Sequence, residues 1–158
     1  MKRNLAALFL LSAVIAGATA EAAAEPLAGI DPVTGNELVL EADGRLTHLV
    51  FFATWCPPCL AEFRALADLE ARWQPDGYRL VLVAIPQRED AARLARFISD
   101  ELPPGQVLFD RTGALQSRFG IEAVPGHVLL GADGAERFRA SSLDEGVIAA
   151  VRQQFGSR

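Results

Sequence analysis

The chain has 158 residues, 51% of them hydrophobic, which is ample for one compact core, and a formal net charge of −5. No Lys/Arg run or basic patch breaks that acidic balance, so nucleic acid is excluded as a partner, and the surface charge reads as a matter of solubility. A structural zinc site needs four ligands, and the chain offers only Cys56, Cys59, His48 and His127, the histidines not at ligand spacing.

In chain order, Lys2 and Arg3 form a positive n-region, residues 5–15 an apolar h-region, and Ala18-Thr19-Ala20 the small-x-small pattern before a cut ahead of Glu21. Residues 1–20 therefore read as a signal peptide. The alternative, an uncleaved anchor, has 16 apolar or small residues from Leu5 to Ala20, against the ~20 that a spanning helix needs. No cysteine follows the h-region to carry a lipid. Either way the domain is expected outside the cytoplasm, where disulfides persist.

Residues 21–36, bearing Ala, Pro and Gly, read as a flexible N-terminal segment, and 37–158 as the folded domain. A short strand is expected over 37–41, a turn at Ala42-Asp43-Gly44, and a doubly buried strand over 46–53. A helix over 58–73 follows, with Leu60, Phe63, Ala67 and Leu66, Leu69, Trp73 at three- and four-residue spacing. Pro75-Asp76-Gly77 stops it. The pattern then gives a strand over 78–85, a helix over 89–101, a short strand over 107–109 and a short helix over 112–119. A hairpin of 127–130 and 136–139 turns at Ala132-Asp133-Gly134, and a final helix over 143–155 points Val147, Ile148, Val151 and Phe155 inward. Strands alternating with helices imply an α/β fold, a central mixed sheet with helices on both faces.

Two cysteines three apart stand where the strand over 46–53 meets the following helix: Phe51-Phe52-Ala53-Thr54-Trp55-Cys56-Pro57-Pro58-Cys59. A thiol at a helix N-terminus lies beside unpaired N–H groups and the positive end of the dipole, which stabilises its thiolate. The second thiol, one turn on, is placed to attack any mixed disulfide formed by the first. A purely structural disulfide here would close a two-residue loop and restrain almost nothing in the unfolded chain. Thiol–disulfide exchange is the favoured reading, with metal binding the alternative.

These motifs resemble a known family. Strand, Trp-Cys-x-Pro-Cys, helix, later Val-Pro, hairpin and terminal helix resemble the thioredoxin fold, and more narrowly the extracytoplasmic TlpA/ResA/DsbE-like thiol–disulfide oxidoreductases, many of which serve cytochrome c maturation. The resemblance is strongest over 51–63 and looser over 109–115 and 119–126. Where cytosolic thioredoxins carry an Asp six residues before the first Cys, this chain has Val50; Glu62 stands six residues after Cys56, as in the narrower family.

The resemblance implies that Cys56 is the exposed nucleophile and Cys59 the buried resolving thiol. Trp55 would cover the sulfurs as an apolar lid. Glu62, three residues beyond Cys59, would take or give the proton of the resolving thiol. Pro125 would be the cis-proline opposite the disulfide, exposing the backbone of Val124 to an extended substrate. Family members often continue Thr-Thr-Phe; here Gly126-His127-Val128 follows, so Gly126 and His127 become candidates for the groove, although His127 reads better as a surface strand residue. His48 reads as structural or exposed.

The implied function is a periplasmic reductase of oxidised exported proteins, apocytochrome c among them. It would act as a monomer without cofactor, with electrons from a membrane-embedded donor of the DsbD/CcdA type. A general disulfide oxidant and a copper-binding thioredoxin-fold protein remain as alternatives, the latter needing a distal histidine that only His127 offers. A peroxidase of this fold would need a Pro-x-x-x-Thr-x-x-Cys setting, which is absent.

Overall fold

The computed structural model describes residues 24–156. The expected leader lies outside the described residues. Among these residues, no helix is long and apolar enough to cross a membrane.

Among the described residues, seven strands form one mixed sheet in the order β2-β1-β5-β4-β3-β6-β7, where β1 is Leu27–Ile30 and β2 is Glu37–Leu40. β3 (Leu46–Phe52), β4 (Tyr78–Ala84) and β5 (Gln106–Phe109) run parallel; β6 (Gly126–Leu130) lies antiparallel to β3, and β7 (Glu136–Ala140) to β6. All seven residues of β3 are buried, as the uninterrupted Leu-Thr-His-Leu-Val-Phe-Phe run requires of a strand covered on both faces. The parallel pairs need crossovers, supplied by α2 (Phe63–Trp73) and by α3 (Ala91–Glu101), which Asp90 caps by accepting from Arg93 N–H at 2.8 Å.

Two differences from the sequence reading have physical causes. The segment read as loose, 21–36, contains β1 (Leu27–Ile30), which pairs with β2 (Glu37–Leu40) along its length and meets β5 at Ile30–Phe109. Only glycine fits at Gly29, where a Cβ would lie 2.2 Å from Leu108 Cδ2. The single helix expected over 58–73 is two, α1 (Pro57–Ala61) and α2, meeting at Glu62, whose N–H reaches back three residues to Cys59 C=O at 3.3 Å. The remaining elements, α4 (Ala114–Arg118) and α5 (Glu145–Phe155) included, fall within a few residues of expectation.

Register decides which side chains share a face. Leu80 pairs with His48, and Leu129 with His48 from the other side. Because side chains alternate, Tyr78 (two before Leu80) and His127 (two before Leu129) lie on the same face as His48. Thr47, Phe51 and Arg79 occupy the opposite face, where Arg79 donates to Thr47 Oγ1 at 2.8 Å and Phe51 meets Phe119 beyond α4.

Candidate active site: a dithiol beside a buried polar chain

The site begins where β3 leaves the sheet. Cys56 is the N-cap of α1: its sulfur accepts from Cys59 N–H at 3.3 Å, and Pro57 and Pro58 fill the first turn, where a missing N–H costs little. The two cysteines form a disulfide with their Cα atoms 5.4 Å apart. Cys56, expected to be exposed, retains only 4% of its surface against 1% for Cys59. In the oxidised form its sulfur is turned back over the helix end toward its partner, which removes it from solvent.

Trp55 is neither a core residue nor a free flap. It is 36% exposed, its indole N–H donates to Gln87 C=O at 2.8 Å, and the Arg88 guanidinium lies 4.0 Å from its ring centroid. The loop between β4 and α3 thus holds the residue preceding Cys56. Glu89 of that loop was not singled out in the sequence. Its side chain is buried and its Oε2 accepts from both Thr54 N–H (2.9 Å) and Thr54 Oγ1–H (2.8 Å), fixing the turn into Cys56.

On the other side, the Val124–Pro125 peptide bond is cis, and both residues are half-buried at the start of β6. Gly126, expected to open on the groove, is buried instead: a Cβ there would lie 3.2 Å from Ile121 Cγ2. His127 also departs from expectation. It is fully buried, because its side chain lies on the His48 face of the sheet and Glu62, at the junction of α1 and α2, covers it.

Glu62 bridges these parts. Its Oε1 accepts from Leu143 N–H, just before α5, at 2.8 Å, and its Oε2 lies 3.0 Å from His127 Nε2. Behind it runs a chain of ring contacts: His127 Nδ1 lies 3.1 Å from His48 Nε2, and His48 Nδ1 lies 2.6 Å from the Tyr78 hydroxyl. Burial holds the proton affinity of His48 well below the ordinary imidazole range, with the neighbouring His127 acting in the same sense. Burial also lowers that of His127, against the opposing pull of Glu62 and, more weakly, of Asp144. The Tyr78 hydroxyl is pushed far up by burial and by the charge of Glu70. Both ring nitrogens of His127 are engaged, so it has no free lone pair to give a metal.

Residues 19–143 match the Redoxin family. The chain belongs to that family. It is 31% identical over 147 residues to the thiol:disulfide interchange protein CycY of Rhizobium leguminosarum, covering 89% of this chain and 74% of that one. To the sporulation thiol-disulfide oxidoreductase A of Bacillus subtilis it is 26% identical, over 65% of this chain and 62% of that one. The fold is shared with a secreted Mycobacterium tuberculosis disulfide oxidoreductase homologous to DsbE (TM-score 0.64, 21% identity, 80% and 95% coverage). The protein is a thiol–disulfide oxidoreductase of thioredoxin-like fold, and Cys56–Cys59 is the pair available for that chemistry.

Proposed function

We propose that this protein is an extracytoplasmic reductase of disulfides in exported proteins, apocytochrome c among them, recharged by a membrane-embedded donor of the DsbD/CcdA type. The observation that carries the reading is the Cys56–Cys59 pair at the start of α1 with Glu62 at the junction that ends it, its carboxylate held between β6 and α5. The signal-peptide pattern of residues 1–20 supports the placement outside the cytoplasm.

In the reduced enzyme the Cys56 thiolate, favoured by the helix N-terminus, attacks a client disulfide. One client sulfur joins Cys56 and the other leaves as a thiolate. The client backbone pairs beside Val124 and Pro125, with Trp55 bordering the docking site. Glu62 then takes the proton of Cys59. The Cys59 thiolate attacks Cys56 Sγ, the Cys56–Cys59 bond forms, and the second client sulfur leaves as thiolate to collect a proton from water. Two electrons have passed to the client, and Glu62 holds one proton to return when the enzyme is re-reduced.

The test is the potential of the Cys56–Cys59 couple against glutathione. A value near about −270 mV supports a reductase; one near about −120 mV marks a strong oxidant and overturns the reading.

A further inference from the structure

The fold buries two imidazoles and a phenol in the centre of its sheet, none of them needed by the dithiol chemistry as usually drawn. We propose that Tyr78, His48 and His127 form a one-directional hydrogen-bond chain that positions Glu62 and keeps its carboxylate in the proton-accepting form for Cys59. The proposal rests on the role given to Glu62 in the preceding reading.

The direction follows from counting hydrogens. Three contacts in series join Tyr78 to Glu62, at 2.6, 3.1 and 3.0 Å. Each contact takes one hydrogen, so with both imidazoles neutral the series can run in two directions, the reverse one carrying one more proton, on Glu62. In the forward one, Tyr78 O–H donates to His48 Nδ1, His48 Nε2–H to His127 Nδ1, and His127 Nε2–H to Glu62 Oε2. Leu143 N–H occupies Oε1. Every donor and acceptor in the series is used, and Glu62 accepts at both oxygens.

The reverse arrangement starts from a protonated Glu62 donating to His127 and ends with His48 Nδ1–H donating to the Tyr78 oxygen. The hydroxyl hydrogen of Tyr78 then needs another acceptor. Tyr78 is fully buried and its oxygen has no other hydrogen-bond partner among the described residues. A buried donor left unpaired is costly, so the phenol works as a ratchet at the closed end of the chain. The chain cannot conduct protons to water; it sets which way they point.

Charged groups act at both ends. Asp144, from the start of α5, draws a proton toward His127, and Glu70, from α2, opposes ionisation of Tyr78. Burial outweighs the first, and the second keeps the phenol a donor. Both therefore leave the forward arrangement in place.

The experiment isolates the Cys59 step. Reduced protein is converted to its Cys56–thionitrobenzoate mixed disulfide, and the thionitrobenzoate released by Cys59 is followed by stopped-flow absorbance across pH. Tyr78→Phe removes the end donor but keeps the ring, and the pH midpoint of release should rise by about one unit, the size expected for one buried polar group. His127→Leu should do the same, while His127→Gln, which keeps an N–H toward Glu62, should restore the wild-type profile.

Unchanged profiles in Tyr78→Phe and His127→Leu, with a displaced one in Glu62→Gln, would overturn the chain and leave the Glu62 reading standing. An unchanged profile in Glu62→Gln would overturn both. Should a variant fail to fold, the wild-type protein still decides. Imidazole ¹⁵N shifts must show both histidines neutral and protonated on Nε2 at neutral pH and above. An Nδ1–H tautomer or an imidazolium at neutral pH refutes the proposal.

Discussion

Acidification into the mildly acidic range should destabilise this protein, and the structure gives the size of the effect. His48 and His127 are the only histidines in the chain, and both are fully buried. Their proton affinities are lowered in the fold, whereas in the unfolded chain they return to the ordinary value of 6.5. Below that value the unfolded state binds protons that the native state refuses, so stability is complete above it and is lost as pH falls. A histidine that stays neutral in the fold loses about 1.4 kcal/mol between about pH 7.5 and 5.5. His48 should deliver that amount. His127, beside Glu62 at 3.0 Å, delivers less, so the total lies between about 1.4 and 2.7 kcal/mol.

Asp31, Asp43 and Asp133 are held below the usual carboxylate range by hydrogen bonds, so their contribution is lost only in stronger acid. Glu70, raised by burial, acts in the opposite sense. Urea denaturation of the oxidised protein at several pH values measures the drop, and the difference between wild type and His48→Gln cancels the carboxylate terms. A wild-type curve that is flat or that rises toward acid would refute the argument.

Other outcomes follow from single contacts. Cys59→Ala should keep a thiol that alkylates at mildly acidic pH and traps mixed disulfides, whereas Cys56→Ala should lose that reactivity; equal labelling of the two would reverse the assignment. Gly126→Ala drives a methyl to 3.2 Å from Ile121 Cγ2 and 3.3 Å from its Cδ1, which should cost about 1–3 kcal/mol by thermal or chemical denaturation. Glu89→Ala releases both bonds to Thr54 and should cost about 1–3 kcal/mol, with a slower attack by Cys56 as the turn before it loosens; an unchanged rate would make Glu89 a purely structural residue.

The dithiol, its helix and the strand before it were legible because chemistry and periodicity coincide there: an unbroken apolar run, two prolines in a first turn and two sulfurs one turn apart. β1 was not, since Leu-Ala-Gly-Ile carries little strand preference and is ordered by pairing with β2 and β5. The division of the helix at Glu62 leaves no mark in the spacing of Leu60, Phe63 and Leu66. His127 was misread because one polar residue in a hairpin suggests a solvent-facing side, yet both faces of β6 are covered and His127 lies between His48 and Glu62. A signal was present: a strand buried on both faces must bury His48 as well. Placing His127 and Tyr78 beside it required the register of three strands, and register is a tertiary fact.

Stability alone does not account for these three residues. Around them on the same sheet face stand Leu46, Val50, Leu80, Leu82 and Leu129, all buried, and apolar side chains in their place would complete an ordinary core. Each hydrogen bond of the chain returns only about 0.5–1.5 kcal/mol net, and replacing both partners of such a bond by apolar groups of similar shape is nearly neutral. The asymmetry lies at Glu62. A carboxylate only 16% exposed in its side chain needs donors, and Leu143 N–H supplies one while His127 supplies the other. His127 can donate from Nε2 as a neutral ring only if its Nδ1 accepts. His48 satisfies that condition, and Tyr78 satisfies the same condition for His48. The requirement begins at the carboxylate beside the dithiol and passes inward one residue at a time, until it reaches a group that can donate without needing to accept.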